Sequence, residues 1–435
     1  MVQAYLAQSR WLRLTSFTAF YFAQGVPIGL LTIALPAWLS ERGMSLGEIA
    51  GYQAVVGLPW GFKLIAGPFM DRFSFPAMGR RRPWVMAAQG GLTLALASLA
   101  VVSDPLSQLP LVIALAFMVN AFAAVQDVAV DGMAIDVLPE SERGRANALM
   151  AFGQVAGFSV FTALAGSLLS HYGMATAALC CAATVGSVFI LITLVRERPG
   201  ERLLPWSAGI AAVGGPLVRP TFAGIFKGLA GVLLLPMSIV LTLAEVAVRM
   251  RDGISISVQP VTATQVLGYT TVEYANLQGV MGLAVAAIGI LVGPLVDRFG
   301  IKRLFLIGIG GSALTTFAFA LAEPLWSNTT FVVGMAAAVA LFSQVAFVCF
   351  IAAAMMICWG PVAASQFAIY MSLANLARSA GSAAFAPFAD QLEPASQFLL
   401  MSALMVVAFA LVLLFRPESH KARLRALDES LKAAG

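Results

Sequence analysis

The sequence has little charge for its length. Asp, Glu, Lys and Arg make up 11% of the 435 residues, whereas 60% are apolar and the mean hydropathy is +0.88. Soluble domains carry about 25% charged residues, so this composition excludes an ordinary soluble enzyme and indicates a protein that crosses a membrane many times. The net charge of +5 lies in basic loops, and no nucleic-acid partner is expected.

Cysteine and histidine are scarce as well. The four cysteines lie in apolar runs without the spacing of metal ligands. We therefore expect buried thiols, no metal site and no cofactor. No nucleophile–base pair and no appended soluble domain are visible, which disfavours a membrane enzyme or a non-transporting sensor. The four cysteines are Cys180, Cys181, Cys349 and Cys358, and the two histidines are His171 and His420.

What the sequence does contain is a repeated motif. Gly-Pro-Phe-Met-Asp-Arg-Phe at 67–73 returns as Gly-Pro-Leu-Val-Asp-Arg-Phe at 293–299, each time after a long apolar stretch and before a basic cluster. Such internal duplication is typical of membrane transporters. We expect the charged pairs of the motif to act as a gate latch, with simple anchoring of the loops as the alternative. These pairs are Asp71 with Arg72 and Asp297 with Arg298.

The apolar stretches predict the fold. Eleven of them are long enough for a bilayer, which needs about 20 helical residues, and the region 220–268 must hold a twelfth. We therefore predict an all-α membrane protein with twelve transmembrane helices in two six-helix bundles. The predicted parts are an N-terminal bundle at 1–195, a cytoplasmic linker at 196–219, a C-terminal bundle at 220–415 and a cytoplasmic tail at 416–435.

The basic residues predict the orientation. Most Lys and Arg fall in alternate loops and in the tail, and such loops stay on the cytoplasmic side. Both termini are therefore expected in the cytoplasm. Arg10 and Arg13 precede an apolar run that is long and has no small-residue cleavage site, so the first helix is expected to be retained as a span. The basic loops are 70–83, 139–145, 196–219 and 297–303.

The seventh span allows two interpretations. The first is a span that ends near Val248, followed by a loop on the outer side. The second is a surface helix at about 220–233, followed by a span that runs through Arg249, Arg251 and Asp252 to about Gln265. We favour the second, because a structureless loop of about 20 residues is unusual in a compact domain. Arg249 and Asp252 would then share a helix face inside the membrane.

Charged groups at membrane depth are costly and usually functional. In the fourth span, Asn120, Asp127 and Asp131 lie on one helical stripe, and Gln126 borders it. Two neighbouring acids can take up and release a proton, because burial and like charge both favour the neutral form. We therefore expect Asp127 and Asp131 to couple transport to protons. The alternative is that Asp131 and Asp136 anchor the helix end beside Arg143 and Arg145.

Two basic residues also lie inside spans. Lys63 is eight residues before Asp71, or roughly 12 Å deep at about 1.5 Å per residue, and it either pairs with Asp127 or extends to the cytoplasmic surface. Arg378 lies twelve residues from both Gln366 and Asp390, near mid-membrane. It either binds an anionic group of the substrate or forms a structural ion pair, for instance with Asp252.

The Asp-Arg-Phe motif with its basic loop resembles the major facilitator superfamily. Several further segments resemble its AmpG branch, the muropeptide permeases. The resemblance is dense over about 17–155 and thinner afterwards. It rests on Phe17-Thr18-Ala19-Phe20, Gly25-Val26-Pro27, Leu35-Pro36-Ala37-Trp38-Leu39, Phe62-Lys63, Gly79-Arg80-Arg81-Arg82-Pro83-Trp84, Gln126-Asp127-Val128-Ala129-Val130-Asp131, and Ser365-Gln366-Phe367-Ala368 with Arg378. In that family the seventh span carries a basic residue three before an acid, which Arg249 and Asp252 match.

The resemblance implies a proton-coupled importer of the bacterial inner membrane, in which two bundles rock around a midplane cavity. Its expected substrate is an anhydro-muropeptide or a similar peptide-sugar fragment, with a siderophore as the alternative, and a monomer is expected. Met133 stands where the muropeptide permeases are expected to have tryptophan, so the wall of the cavity facing the sugar can differ. The expected substrate-binding residues are Lys63, Asn120, Gln126, Arg249, Asp252, Gln366 and Arg378.

Overall fold

The computed structural model describes residues 5–73, 75–209, 229, 231–359, 362–420 and 422–424. Within these ranges a few side chains lie outside the description, namely those of Leu64, Pro68, Asp71, Arg72, Pro76, Asp297 and Ala364.

The described part of the chain is helical and contains no strand beyond a single bridge between Tyr5 and Arg196. The first six helices are α1 (Arg10–Glu41, with a π-helical stretch at Gly29–Ala34), α2 (Leu46–Gly57, Leu58–Phe62 and Lys63–Arg72), α3 (Arg82–Val101), α4 (Leu109–Val137), and α5 and α6 (140–172 and 174–194), which meet at Gly173. The last six are α7 (Pro236–Val261, continued by Thr262–Val266), α8 (Thr271–Phe299), α9 (Ile301–Leu321), α10 (Thr329–Ile357), α11 (Ala363–Phe385, continued by Ala386–Gln391) and α12 (Pro394–Leu414).

The helices follow the predicted spans, and the all-α prediction is confirmed. Within the described ranges, eight helical stretches are long and apolar enough to cross a membrane, with α5 and α6 counted as one. Local sequence sets their limits: Ser45 and Glu48 form a reciprocal capping box at the start of α2. Gly173 separates α5 from α6 with a positive φ of 78°.

The seventh span is the one that the sequence left open. α7 runs without interruption from Pro236 through Arg249, Arg251 and Asp252, and continues to Val266. The favoured interpretation of the span is therefore confirmed. Most of the surface helix expected at 220–233 lies outside the described residues.

The described residues divide into two compact units. Unit 1 contains 5–209 together with Gln259–Leu283, and unit 2 contains 229 and 231–258 together with the described residues from 284 onward. The core of unit 2 is built from buried side chains of α7 to α12, with Phe305, Phe350 and Tyr370 among the largest. The predicted division into bundles and a linker stays a prediction, because 210–219 lie outside the described part.

In unit 1 the helices α1 and α5 cross closely. A Cβ on Gly25 would collide with the backbone of Gln154 and Phe158, and a Cβ on Gly157 would collide with the backbone of Phe22. Small residues at such crossings let two backbones approach. The glycines therefore bring the polar side chains of α1 next to those of α5.

Candidate functional site

The acidic stripe of α4 forms the polar centre of unit 1. Asp127 is buried, and its carboxylate accepts hydrogen bonds from the Lys63 ammonium and, at 2.5 Å, from Gln24 Nε2. Gln154 Nε2 donates to Gln24 Oε1, also at 2.5 Å. The side chains of Lys63 and Asp127 retain 22% and 11% of their exposure. Lys63 therefore pairs with Asp127 rather than only extending to the surface, which decides between the two alternatives.

Asp131 lies one helical turn further along the stripe. It is exposed, and its carboxylate accepts a hydrogen bond from the Tyr21 hydroxyl. The stripe thus has an accessible acid beside a buried, paired acid. Four helical residues correspond to about 6 Å of rise, so the two acids lie near each other on α4.

Asn120 continues the stripe on the other side of Asp127. Its Oδ1 accepts a hydrogen bond of 2.6 Å from Trp60 Nε1, and the Lys63 ammonium lies 4.3 Å from the centre of the Trp60 ring. Gln126 points the other way: it is fully buried, and its Nε2 donates to the Phe20 carbonyl at 2.9 Å. Asn120 is therefore part of the charged network, whereas Gln126 ties α4 to α1.

Unit 2 has its own charged cluster on α7. Arg249 donates to Glu245 at 2.5 Å and to Asp252 at 3.2 Å, and its guanidinium lies 4.7 Å from the centre of the Phe347 ring. Arg251 is buried and donates to the other oxygen of Asp252 at 3.1 Å. Arg249 and Asp252 share a face, as the spacing predicted.

Arg378 on α11 is half-buried in the same unit, within the electrostatic influence of Arg249 and Asp252. No side-chain carboxylate described in unit 2 forms an ion pair with it. Gly253 lies against the backbone of Arg378, so α7 and α11 touch here. The ion pairs of Asp252 are to Arg249 and Arg251. Whether Arg378 binds substrate or has a structural role beside Asp252 stays a prediction.

Gln366 has a different environment from the other expected binding residues. It is fully buried, its Oε1 accepts from the Trp359 amide at 2.8 Å, and its Nε2 donates to the Tyr370 hydroxyl at 2.9 Å and the Ile357 carbonyl at 3.3 Å. These bonds use its amide within the protein. Gln366 therefore holds the connection between α10 and α11 and is not available to bind a substrate.

The gate latch lies largely outside the description, since the side chains of Asp71, Arg72 and Asp297 are not described. Arg298 is exposed, with its guanidinium 5.4 Å from the centre of the neighbouring Phe299 ring. The gating role of these four residues stays a prediction.

The basic cluster that follows the first motif is held by carboxylates. Asp136 pairs with Arg80 at 3.3 Å and with Arg81 at 3.6 Å. The alternative considered from the sequence, in which Asp136 anchors the helix end beside Arg143 and Arg145, named neither of these partners, because the α2–α3 loop folds back onto the end of α4.

Glu197 completes this cluster by accepting from three consecutive backbone amides, those of Arg80 at 3.2 Å, Arg81 at 2.9 Å and Arg82 at 2.5 Å. Burial raises the pKa of Glu197, and these amides oppose the shift. Gly79 has φ of 100°, and a Cβ there would lie 2.8 Å from the Glu197 carboxyl carbon. Only glycine fits both the turn and the cradle.

Sequence reasoning missed several members of these clusters, namely Tyr21, Gln24, Gln154, Glu197 and Glu245. Two signals could have found some of them. Tyr21 and Gln24 are polar residues three apart within an apolar helix, and Glu245 precedes Arg249 by four residues. The contacts of Gln154 and Glu197 are long-range and have no local signal.

All four cysteines lie within the described ranges. Cys181 and Cys349 are buried and Cys180 and Cys358 are half-buried, and all four are free thiols. No group of three or more potential metal ligands occurs among the described residues.

The sequence of this chain is similar to those of known proteins. The family model described as Major Facilitator Superfamily matches residues 13–383, and a second alignment covers 241–434. The anhydromuropeptide permease of Escherichia coli K12 is 29% identical over 295 residues, which are 66% of this chain and 56% of that protein. The match thus spans little more than half the length of this relative. An uncharacterized protein of Haemophilus influenzae is 33% identical over 141 residues, 32% of each chain.

Solved structures share the fold. The nucleoside transporter NupG has a TM-score of 0.68 at 13% identity and covers 93% of this chain and 100% of its own. A POT family transporter in complex with 5-aminolevulinic acid has a TM-score of 0.70 at 12% identity, over 94% and 96% of the two chains. Identities this low show the fold alone. The family match, in contrast, covers most of the sequence: the chain belongs to the Major Facilitator Superfamily.

Proposed function

We propose that this transporter imports anhydro-muropeptide, or a similar peptide-sugar fragment, together with protons. The substrate class rests on the similarity to the anhydromuropeptide permease of E. coli. In this proposal the protein acts as a monomer in the bacterial inner membrane with both termini in the cytoplasm, as its basic loops indicate.

The contact between Lys63 and Asp127 is the observation that supports proton coupling. Asp127 is the acceptor for both Lys63 and Gln24. A proton on Asp127 removes the counter-ion of Lys63 and turns one acceptor oxygen into a donor. Lys63 must then find another partner, so protonation of one side chain changes the contacts between α2 and α4.

The exposed Asp131 is the proposed entry point for the proton, and Tyr21 holds it next to α1. Gln24 and Gln154 extend the network from α4 through α1 to α5. The protonation state of α4 therefore reaches two neighbouring helices through hydrogen bonds. Such a link between proton and helix packing is what a symporter requires.

Unit 2 supplies the proposed anion-binding group. A peptide-sugar fragment carries carboxylates, and Arg378 is a half-buried guanidinium without an ion pair among the described carboxylates. A planar guanidinium binds a carboxylate through two parallel hydrogen bonds. Arg249 and Asp252 lie close enough to influence Arg378 and are proposed to orient it.

Uptake by purified protein in sealed vesicles tests the proposal. We expect labelled anhydro-muropeptide to accumulate above its external concentration when the outside is acidic, and a pH-sensitive dye inside to report proton entry only when substrate is added. A protonophore should abolish the accumulation. Equal uptake with and without the gradient would contradict proton coupling, and uptake of an iron-siderophore but not of the muropeptide would contradict the substrate class.

A further inference from the structure

A groove lies at the end of unit 2 that carries the second basic loop. It has a volume of about 650 Å³, within the range of about 300–1,000 Å³ that is common for ligand pockets. We call it the α8–α9 groove. Its lining is Val296, Phe299, Gly300, Ile301, Lys302, Arg303, Leu306, Ala352, Met356 and Pro417.

The wall of the groove is apolar, and the surface beside it is apolar as well. Leu295, Phe299 and Ile307 are exposed by 42%, 46% and 55%. Exposed apolar side chains on spanning helices of a multi-pass protein face hydrocarbon rather than water. The groove is therefore continuous with the part of the surface that contacts lipid.

The rim of the groove is basic. Lys302 Nζ donates to the Leu413 carbonyl at 2.7 Å and has no carboxylate partner among the described side chains. Arg303 is exposed and forms no hydrogen bond or ion pair with the described residues. The loop and the start of the tail, 297–303 and 416–424, contain six Lys or Arg residues and two Asp or Glu residues. Pairing both acids would still leave several cations.

In the equivalent cluster of unit 1, all three arginine side chains have partners within the protein. Arg80 and Arg81 pair with Asp136, and the guanidinium of Arg82 donates to the carbonyls of Ile192, Thr193 and Arg202. Arg82 is also completely buried. Among the described residues, the second cluster thus presents Lys302 and Arg303 beside an open apolar groove, whereas Arg80 and Arg81 of the first cluster pair with Asp136.

We propose that the α8–α9 groove binds an anionic phospholipid, whose phosphate contacts Lys302 and Arg303 and whose acyl chain lies against Leu306, Ala352 and Met356. A free phosphate would use only the rim, whereas a zwitterionic lipid would use the wall but bring its own ammonium group beside the cations. An anionic lipid uses both features. Basic sites between spanning helices near the membrane surface commonly hold such headgroups.

Native mass spectrometry of the full chain in detergent tests the site. Phosphatidylglycerol is titrated against phosphatidylethanolamine with the same acyl chains, and glycerol phosphate serves as the headgroup without chains. We expect one molecule of phosphatidylglycerol to be retained more tightly than the zwitterionic lipid. Each basic residue near a membrane surface is worth roughly fivefold in affinity, so K302Q/R303Q should weaken retention by roughly twentyfold or more.

Two further variants and one control keep the test specific. Arg303→Lys retains the charge and should retain most of the binding, and Ala352→Phe fills the groove and should weaken binding of the intact lipid. The control, R143Q/R145Q, removes two exposed positive charges from another basic loop and should leave retention unchanged. The proposal is overturned if the control loses as much lipid as K302Q/R303Q, if K302Q/R303Q binds normally, or if glycerol phosphate competes as well as intact phosphatidylglycerol.

Discussion

The two units hold ion pairs at membrane depth with opposite balances of charge. Unit 1 sets one ammonium, Lys63, against two carboxylates, Asp127 and Asp131. Unit 2 sets three guanidinium groups against two carboxylates in the cluster of Glu245, Arg249, Arg251, Asp252 and Arg378. An excess of carboxylate suits proton uptake, and an excess of guanidinium suits an anionic solute. Under the proposed function, this difference corresponds to coupling in unit 1 and recognition of solute charge in unit 2.

Breaking the pair in unit 1 should have the largest effect on stability. Lys63→Met leaves the buried Asp127 without its cation, and loss of one partner of a buried pair costs about 3–5 kcal/mol. We expect the lower end, because the Lys63 side chain keeps 22% of its exposure. The double variant K63M/D127N should recover most of the loss. Denaturant unfolding in detergent measures both.

Lys302→Met is the matched control, because this lysine bonds to a carbonyl at the surface of unit 2. It should change stability by much less than Lys63→Met does. If the Lys63 and Asp127 substitutions were simply additive, the two side chains would not be coupled, and the assignment of the pair would be wrong.

Changing Arg378, which forms no ion pair with the described carboxylates, tests the other side of the comparison. Arg378→Gln should weaken binding of anhydro-muropeptide by about 1.5–3 kcal/mol, the usual contribution of a hydrogen bond to a charged group. Arg378→Lys should lose nearly as much if a bidentate contact is required. Isotherms on folded protein measure the affinity. Normal affinity in Arg378→Gln, or a loss of folding that Asp252→Asn rescues, would make Arg378 structural.

Gln366 sharpens the distinction between binding and packing in unit 2. Gln366→Ala removes an amide that bonds to Trp359, Tyr370 and Ile357 and leaves buried partners unsatisfied, at about 1–3 kcal/mol of stability. Affinity for the substrate should stay within about twofold once the protein is folded, because less than 0.5 kcal/mol of binding is involved. A large loss of affinity at normal stability would return Gln366 to the site.

The smallest expected effect is the pH dependence of local stability around His420, which lies outside the membrane-spanning helices. His420 is buried, its Nε2 bonds to the Ile357 carbonyl at 2.9 Å, and burial lowers its pKa below the usual 6.5. A lowered pKa gives stability that is present above about 6.5 and is lost as the pH falls through the folded value. The protection of backbone amides at 415–420 against hydrogen exchange, taken relative to the intrinsic rate at each pH, should therefore fall on acidification, and His420→Gln should remove this dependence.

The same variant separates the two units. If coupling resides in unit 1, His420→Gln should leave the pH profile of transport unchanged. A profile that moves with this substitution would place a coupling titration in unit 2.

Much of the fold follows from the sequence, because the signals are local. Long apolar runs define the helices, and the continuity of α7 through Arg249 and Asp252 follows from their spacing and from the apolar residues beyond them. The site was partly predictable for the same reason, since Asp127 and Asp131 are charges inside an apolar helix. Their partners were not, because Gln154 and Glu197 act on residues more than a hundred positions away.

The partner of Asp136 illustrates why long-range contacts could not be predicted from the sequence. The alternative reading of the sequence set Asp136 beside Arg143 and Arg145, and the structure pairs it with Arg80 and Arg81. A carboxylate at a helix end can pair with any basic loop on the same side of the membrane. Only the packing of α3 and α4 decides among them.

Transport by Asp127→Asn tests the central claim most directly. Purified variant in vesicles is assayed for uphill accumulation driven by an acidic exterior and for exchange of labelled against unlabelled substrate, with Asp104→Asn in an exposed loop as the matched control. Asparagine cannot carry a proton, so we predict that accumulation disappears while exchange partly survives, and that the control keeps both. Uphill accumulation at the wild-type level in Asp127→Asn would contradict the account.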